Sequence, residues 1–245
     1  MKQENAIVQG SSTDKDLPTI GEYEPAGDCV APPLLLSSKS QVWGTSTDSS
    51  LEPKFTPEST APRHVHARSK GECMFCGFAS THNEIHNIND NHLDIGPANL
   101  GTICALCHRW QHLGQLQAGD AYLCFLPGLA PSDINHLQRT LLVALESNDP
   151  AASADALALL NWMASHRNYV QKAWGTYEPA TFAVAMLRQP GSEKELREIV
   201  FGDMGLVFRP ACLAGAVANW SRDAYRDRPV KDWANIHHGV MNAPI

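Results

Sequence analysis

The C-terminal half of the chain repeats apolar residues at helical spacing. In its first part the apolar positions lie three or four residues apart: Ile134, Leu137, Leu141 and Leu145. This spacing places them on one face of a helix that begins at Pro131, a residue suited to the first helical position. Similar patterns, and a capping box at Ser192 and Glu195, predict four more helices: 154–170, 179–188, from Ser192 to about residue 200, and 210–225.

The N-terminal half shows a different pattern. Residues 1–30 are rich in Ser, Thr, Pro, Gly and acids, which predicts a disordered arm. Residues 31–62 contain two short apolar groups, Leu34–Leu36 and Gln41–Gly44, typical of a strand or hairpin followed by a linker. Residues 63–130 form a cysteine-bearing module, in which the apolar run Ala121–Leu126 predicts a buried strand. The remaining segments are a helical region, 131–226, and a loose tail, 227–245.

Two cysteine pairs of the C-x-x-C type define the centre of that module: Cys73 with Cys76, and Cys104 with Cys107. Two such pairs supply the four thiolates of a tetrahedral zinc site. Four protein ligands leave no position for water or substrate, so we expect one zinc ion with a structural role. The segment between the pairs, 77–103, is long for a zinc ribbon and is expected to fold as a ββ excursion.

Charge and composition narrow the function classes. The formal net charge is −7, with 26 acidic and 19 basic residues, which argues against a protein that coats nucleic acid. The remaining cysteines, Cys29, Cys124 and Cys212, have no disulfide pattern and favour a reducing compartment. The start of the chain has no signal-peptide pattern, and no apolar run is long enough to span a bilayer. We therefore expect a cytoplasmic location.

The order of cysteines, histidine and asparagine resembles the zinc-bearing branch of the HNH endonucleases. That resemblance implies that His86 is a general base, Asn99 the residue that holds its loop, and His108 a ligand of a second metal. The position before the base, which usually carries a metal ligand, is Ile85 here, and Glu84 lies one residue further away. Taken alone, His86 also fits a structural role, so nuclease chemistry stays open as an alternative.

A longer stretch resembles the DotN (IcmJ) family of type IVB secretion-system components. The segments that carry the resemblance are 73–78, 99–107, 122–129, the helix from Pro131, 161–169, 177–180, 192–197 and the region of Trp220. The resemblance implies an HNH-like fold without known nuclease activity. It also implies a structural zinc site at the four cysteines, and an adaptor role at the C-terminal segment of a coupling ATPase. In this setting the protein would lie at the inner membrane only through its complex.

The sequence thus predicts an α+β protein: a zinc-stabilised HNH-like ββα module with a short N-terminal strand or hairpin and a helical C-terminal region. The expected function is that of a non-catalytic coupling-complex adaptor. Its alternatives are an HNH endonuclease using His86 and a zinc-ribbon nucleic-acid binder, against which the acidic charge argues. The partner is expected to use an apolar groove, for which the first candidates are the solvent-exposed members of one aromatic set: Trp110, Tyr122, Phe125 and Trp174.

Overall fold

The computed structural model describes residues 31–39, 60–188 and 201–242. Its helices are α1 (Thr60–Ser69), α2 (Ala105–Gln111), α3 (Pro131–Leu145), α4 (Pro150–Ser165), α5 (Arg167–Trp174), α6 (Pro179–Leu187), α7 (Ala214–Arg222) and α8 (Trp233–Met241). Its strands are β1 (Glu84–Asn87), β2 (Leu100–Ile103), β3 (Ala121–Phe125) and β4 (Met204–Phe208). The predicted α+β class is confirmed. The predicted arm, the group Gln41–Gly44 and the helix from Ser192 lie outside the described residues.

The segment between the two cysteine pairs forms an antiparallel hairpin. Strand β1 pairs with β2 so that Glu84 faces Ile103 and Asn87 faces Leu100. Helix α2 begins directly after this hairpin, and the Cys104 sulfur accepts the backbone N–H of Cys107 at its first turn. The expected ββ excursion is therefore present, and it delivers the second cysteine pair to the start of a helix.

A second two-stranded sheet joins β3 to β4, whose register runs from Ala121 opposite Phe208 to Phe125 opposite Met204. Strand β3 was predicted, whereas β4 was not. All five residues of β4 are buried, and a short apolar run of this kind has no periodicity that separates a strand from a loop or helix. Its pairing partner also lies far away in sequence, so only the tertiary structure identifies it.

Helix α3 matches its prediction, but its buried face is not wholly apolar. Ile134 and Leu141 are buried, whereas Leu137 is 37% exposed. Three polar side chains of this helix are completely buried: Asn135, Gln138 and Arg139. The Gln138 amide donates to the carbonyl of Leu206 and accepts from the N–H of Phe208. This side chain therefore joins α3 to the backbone of β4.

Several predicted boundaries differ from the structure. The single helix predicted over 154–170 is two helices, because α4 begins at Pro150 with Asp149 as its cap and the chain turns at His166. Residues 210–213 form a 3-10 turn before α7. The predicted loose tail contains α8, a helix in which no residue is buried.

Residues 31–39 correct another expectation. Leu34 and Leu36 are buried, but they lie in no strand of the described residues. The backbone instead runs beside the end of α2: Ser37 donates to the carbonyl of Trp110, and Ser38 forms an isolated bridge with His112. The apolar residues are therefore held by packing against α2. The described residues from Ala31 onward belong to one compact unit.

Candidate metal centre and adjoining histidine cluster

The four predicted ligands, Cys73, Cys76, Cys104 and Cys107, come together in the structure. Their sulfur atoms all lie within 4.8 Å of one another, and the sulfurs of Cys76 and Cys104 are 3.7 Å apart. Tetrahedral zinc with Zn–S bonds of about 2.3 Å requires sulfurs roughly 3.8 Å apart. The donor set and this spacing fit a four-thiolate metal site.

Local backbone geometry explains how the first pair closes. Gly77 has a φ of +70° and donates its N–H to the carbonyl of Cys73 at 2.8 Å. A left-handed residue at this point turns the chain back so that both sulfurs of the pair face the same point. The second pair needs no such turn, because Cys104 and Cys107 occupy the first turn of α2.

Helix α3 supplies hydrogen-bond donors to three of the four sulfurs. The Arg139 guanidinium lies 3.3 Å from the Cys104 sulfur and 3.6 Å from the Cys76 sulfur, and the Asn135 amide donates to the Cys107 sulfur at 3.3 Å. Contacts with the Cys104 sulfur and the other sulfurs, together with the positive charge of Arg139, lower the pKa of Cys76. The positive charge of Arg139 beside the Cys76 sulfur thus favours the thiolate form that a metal binds.

A second cluster of metal-binding side chains lies beside α2. It contains His86 from β1 with His108 and His112 from α2; all three are buried, and one nitrogen of each lies within 4.8 Å of the others. The ring centroids of His108 and His112 are 4.9 Å apart, as expected for residues one helical turn apart. The structure therefore joins the predicted pair His86 and His108, and it adds His112.

Glu84 orients one member of this cluster. Its carboxylate contacts Nδ1 of His108, while Nε2 of His108 is buried without a hydrogen-bond partner in the described structure. Burial by itself would raise the pKa of Glu84, but the hydrogen bond and charge of His108, with the charge of Arg109, outweigh it and lower that pKa. A carboxylate behind a histidine is the arrangement that usually fixes a metal-binding imidazole. Because residues two apart on a strand share a face, Glu84 lies on the same side as His86, whereas Ile85 does not.

His86 itself is covered. Its ring is 1% exposed, and its Nε2 lies 3.2 Å from the ammonium of Lys39. Burial, followed by the positive charge of Lys39, lowers the pKa of His86 to about 2. With Nε2 occupied by Lys39 and the ring shielded from solvent, this side chain has no open path to a water molecule in the described structure.

Asn99 lies where β2 begins and holds the loop that follows β1. Its side chain accepts the N–H of Asn89 and donates to the carbonyl of Asp94 and the side chain of Asn87. The HNH resemblance implies a loop-holding role for this residue, and that role stays a prediction. The contacts hold the loop, and they do not reach the ring of His86.

An open cavity of about 350 Å³ adjoins the histidine cluster. Its lining residues are Glu84, His108, Arg109, His112, Gln115, Leu116 and Asp120. His86 is not among them, so the proposed base lies behind the cavity wall. His108 and His112 have edges that reach this cavity.

Sequence reasoning missed several of these residues. His112 forms a His-x-x-x-His pair with His108, the spacing that puts two side chains on one face of a helix. Glu84 was noted, but its alignment with His86 was not used. Asn135 and Arg139 gave no signal, because polar residues on a helix are normally expected to face solvent.

The partner-surface candidates separate into two groups. Trp110 is 1% exposed and donates its indole N–H to Asn135, so it belongs to the core and is not one of the solvent-exposed members of the set. Phe125 is 37% exposed and Trp174 is 45% exposed, while Tyr122 is half-buried. The structure adds exposed aromatic residues near Phe125: Trp162 and Tyr169, which are linked through His166.

Among the helices that the structure describes, none combines the length and apolar character needed to cross a bilayer. No protein-family model matches the chain. The chain is 25% identical over 169 residues to the type 4 apparatus protein DotN of Legionella pneumophila subsp. pneumophila (strain Philadelphia 1). That match covers 66% of this chain and 78% of the relative. The resemblance to DotN predicted from the sequence is therefore confirmed: the chain is similar in sequence to the type IV apparatus protein of that name.

Proposed function

We propose that this protein is a non-catalytic adaptor of a type IVB secretion or conjugation coupling complex. The observation that carries the proposal is the similarity to DotN over 169 residues, which is too long to rest on the cysteine motif alone. In this role the protein binds the C-terminal segment of the coupling ATPase. It lies in the cytoplasm, beside the inner membrane, only through that complex and its other subunits.

The metal centre has a structural role in this proposal. One zinc ion held by Cys73, Cys76, Cys104 and Cys107 fastens the HNH-like hairpin to the start of α2 and to α3. Four thiolates leave zinc no exchangeable water, so the ion contributes folding energy and no reaction step. Elemental analysis of the purified chain is expected to give one zinc per chain. Cys104→Ser is expected to lose the zinc and to unfold at lower denaturant concentration.

The covered ring of His86 supports the non-catalytic assignment. A general base needs hydrogen-bond reach to the proton it removes, directly or through one water. His86 is buried, and its Nε2 is already in contact with Lys39. The same lysine adds a positive charge that disfavours protonation of the ring.

The exposed aromatic residues of β3, α4 and α5 are the surface that we assign to the ATPase segment. Phe125 and Tyr169 have ring centroids 6.3 Å apart, and Trp162 packs against His166 at 4.8 Å. Aromatic side chains that remain in water while packing on each other are typical anchors for a partner chain. We expect an extended or helical peptide to cover them.

Co-purification tests the adaptor proposal. The full chain and the C-terminal segment of the coupling ATPase are expressed together, and the wild type is expected to retain the segment through gel filtration. The double variant Trp162→Ala, Tyr169→Ala is expected to weaken binding at least tenfold, as for interface hot spots. Leu93→Ala serves as the matched control, because Leu93 is 72% exposed and lies on a loop outside the surface. Failure of the wild type to bind a soluble segment rejects the adaptor role.

The histidine cluster favours one second candidate, an HNH-type metal-dependent endonuclease. In this alternative His86 is the general base, and His108 and His112, with a carboxylate behind His108, are ligands for a second, catalytic metal. In this alternative the metal would polarise a scissile phosphate, His108 and His112 would hold it beside the cavity, and Asn99 would fix the loop after β1.

A plasmid-nicking assay with Mg²⁺ or Mn²⁺ separates the two functions. The adaptor proposal predicts no cleavage above that of a blank preparation for the wild type. Cleavage that disappears in both His86→Ala and His112→Ala, and persists in His64→Ala, would establish the nuclease. His64 is the control because it is an exposed histidine outside the cluster.

A further inference from the structure

Arg139 on α3 is a completely buried cation. It is 0% exposed, and its guanidinium stacks on the ring of Phe78 at 3.7 Å and lies 5.5 Å from the ring of Trp220. A buried charge is costly unless a counter-charge and hydrogen bonds compensate for it. The position of Arg139 therefore requires an explanation from its neighbours.

Those neighbours include no carboxylate among the described residues. The guanidinium instead reaches the sulfurs of Cys104 and Cys76, and its Nη1 donates to Nδ1 of His136. His136 is therefore a hydrogen-bond acceptor for Arg139, and its Nε2–H donates to the backbone carbonyl of Cys76 at 2.8 Å. The aromatic rings add cation–π attraction but no net charge. Among the hydrogen-bond partners of Arg139 in the described structure, the sulfurs are the groups that can carry a negative charge.

The charges of a loaded centre match this requirement. Four thiolates and one divalent cation carry a net charge of −2, and Arg139 is a single cation placed against two of the four sulfurs. Asn135 provides a neutral donor to a third sulfur, that of Cys107, and its carbonyl oxygen accepts the indole N–H of Trp110. Helix α3 therefore supplies both a charge and an additional hydrogen bond to the centre.

The same helix connects the centre to the rest of the fold. Gln138, the neighbour of Arg139 in sequence, forms its two hydrogen bonds with β4. Helix α3 therefore contacts the sulfurs through Arg139 and Asn135, and it contacts strand β4 of the second sheet through Gln138. Any free energy that the metal gains from Arg139 and Asn135 is, by linkage, free energy that holds α3 in this position.

We propose that Arg139 is the charge-balancing and positioning residue of the four-thiolate centre, and that metal loading stabilises the helical region through Arg139 and Asn135 of α3. The inference rests on the metal centre proposed above. In that proposal the metal stabilises the hairpin; here it also stabilises the contact between the cysteine module and the helical region. Binding of metal and docking of α3 are then coupled.

Metal competition tests the coupling in the full chain. Zinc affinity is measured against a chromophoric chelator for the wild type and for Arg139→Met, which keeps a long apolar side chain against Phe78 and Trp220. Loss of such a second-layer partner is expected to weaken zinc binding about 10- to 100-fold. The increase in unfolding midpoint on adding zinc is also expected to shrink, since the stabilisation that a ligand gives rises with the logarithm of its affinity.

Gln138→Met is the matched control on the same helix. It removes the hydrogen bonds with β4 and leaves the sulfur contacts in place. We expect it to lower the unfolding midpoint with and without zinc alike, and to change zinc affinity by no more than about twofold. Equal zinc affinities for the wild type and Arg139→Met would overturn the inference. A wild type that binds no zinc would instead reject the proposed metal centre itself.

Arg139→Lys keeps the test valid if Arg139→Met fails to fold. It retains the positive charge and loses the planar fork, so zinc affinity is expected to fall less than about tenfold. A fall of about tenfold or more would show that shape and not charge matters, and would overturn the assigned role. Hydrogen exchange gives a second readout on the wild type: zinc removal is expected to accelerate exchange in α3 more than in α5. Unchanged protection of α3 would contradict the coupling.

Discussion

The carboxylate of Glu84 on β1 contacts Nδ1 of His108 on α2, which joins the hairpin to the helix beside the four-cysteine centre. Nε2, the other ring nitrogen of His108, is buried without a hydrogen-bond partner in the described structure, and the residue belongs to the cluster with His86 and His112. The contact is made between two residues far apart in sequence, and it orients a ring whose own exposure is only 3%. It therefore has a measurable consequence for stability.

We predict that Glu84→Gln lowers the unfolding free energy by up to about 1 kcal/mol. The amide retains the shape and a neutral hydrogen bond but loses the charge, and Glu84 is partly exposed, so solvent screens much of the interaction. Urea denaturation at pH 7 measures the change. Glu72→Gln, at an exposed position outside the cluster, is expected to leave the free energy unchanged. Equal stabilities of the two variants would contradict the orienting role of Glu84.

His86 predicts a specific pH dependence. Burial and then Lys39 hold its pKa at about 2, below the ordinary value of 6.5, so between these values the unfolded chain binds one more proton than the folded chain. The stabilising contribution of neutral His86 is complete above pH 6.5 and is lost as the pH falls toward 2. The slope is about 1.4 kcal/mol per pH unit.

Comparison of the wild type with His86→Gln isolates this effect, because release of metal by acid is common to both. Urea unfolding is measured at several values between pH 6 and pH 4.5. The unfolding free energy of His86→Gln is expected to fall less per pH unit than that of the wild type, by a slope that corresponds to about one proton. His64→Gln, which changes an exposed histidine, should follow the wild type. Identical slopes for the wild type and His86→Gln would show that the folded protein accommodates a charged ring.

Asn99→Ala is expected to destabilise the loop between β1 and β2. The substitution leaves the Asn89 N–H and the Asp94 carbonyl without their buried partner, which costs about 1–3 kcal/mol. Hydrogen exchange is expected to accelerate in residues 88–94 before it changes in α3. Asn89→Ala is the control, because that side chain is exposed and its contacts lie on the surface. If hydrogen exchange of residues 88–94 in Asn99→Ala is as slow as in the wild type, Asn99 does not hold the loop.

Two glycines with positive φ allow a paired test of backbone strain. An added Cβ at Gly77 (φ +70°) meets no atom within 4 Å, whereas one at Gly71 (φ +73°) comes within 3.1 Å of the Ser80 carbonyl oxygen. Gly77→Ala is therefore expected to cost about 1 kcal/mol for the left-handed conformation alone. Gly71→Ala should cost clearly more, since a backbone oxygen must also shift. Chemical denaturation of both variants measures the difference, and a reversed order would contradict the geometry.

Much of the fold followed from local pattern. The two C-x-x-C pairs indicated four ligands around one point, since this spacing closes a knuckle within a few residues. The strand at Ala121–Phe125 and the helices from Pro131 and Pro179 followed from apolar spacing and from Pro at helix starts. The boundary at His166 did not, because the apolar residues continue through it and only the turn of the backbone ends α4.

The amino-acid sequence by itself determined the four cysteines, the α+β class and the similarity to DotN. Each of these depends on residue types at short spacings or on a long linear match. The tertiary structure alone decided that Arg139 faces the sulfurs, that Glu84 and His112 join His86 and His108, and that β4 completes the second sheet. These relationships pair residues that are distant along the chain. Whether a polar side chain is buried depends on which surface packs against it, and no local pattern contains that information.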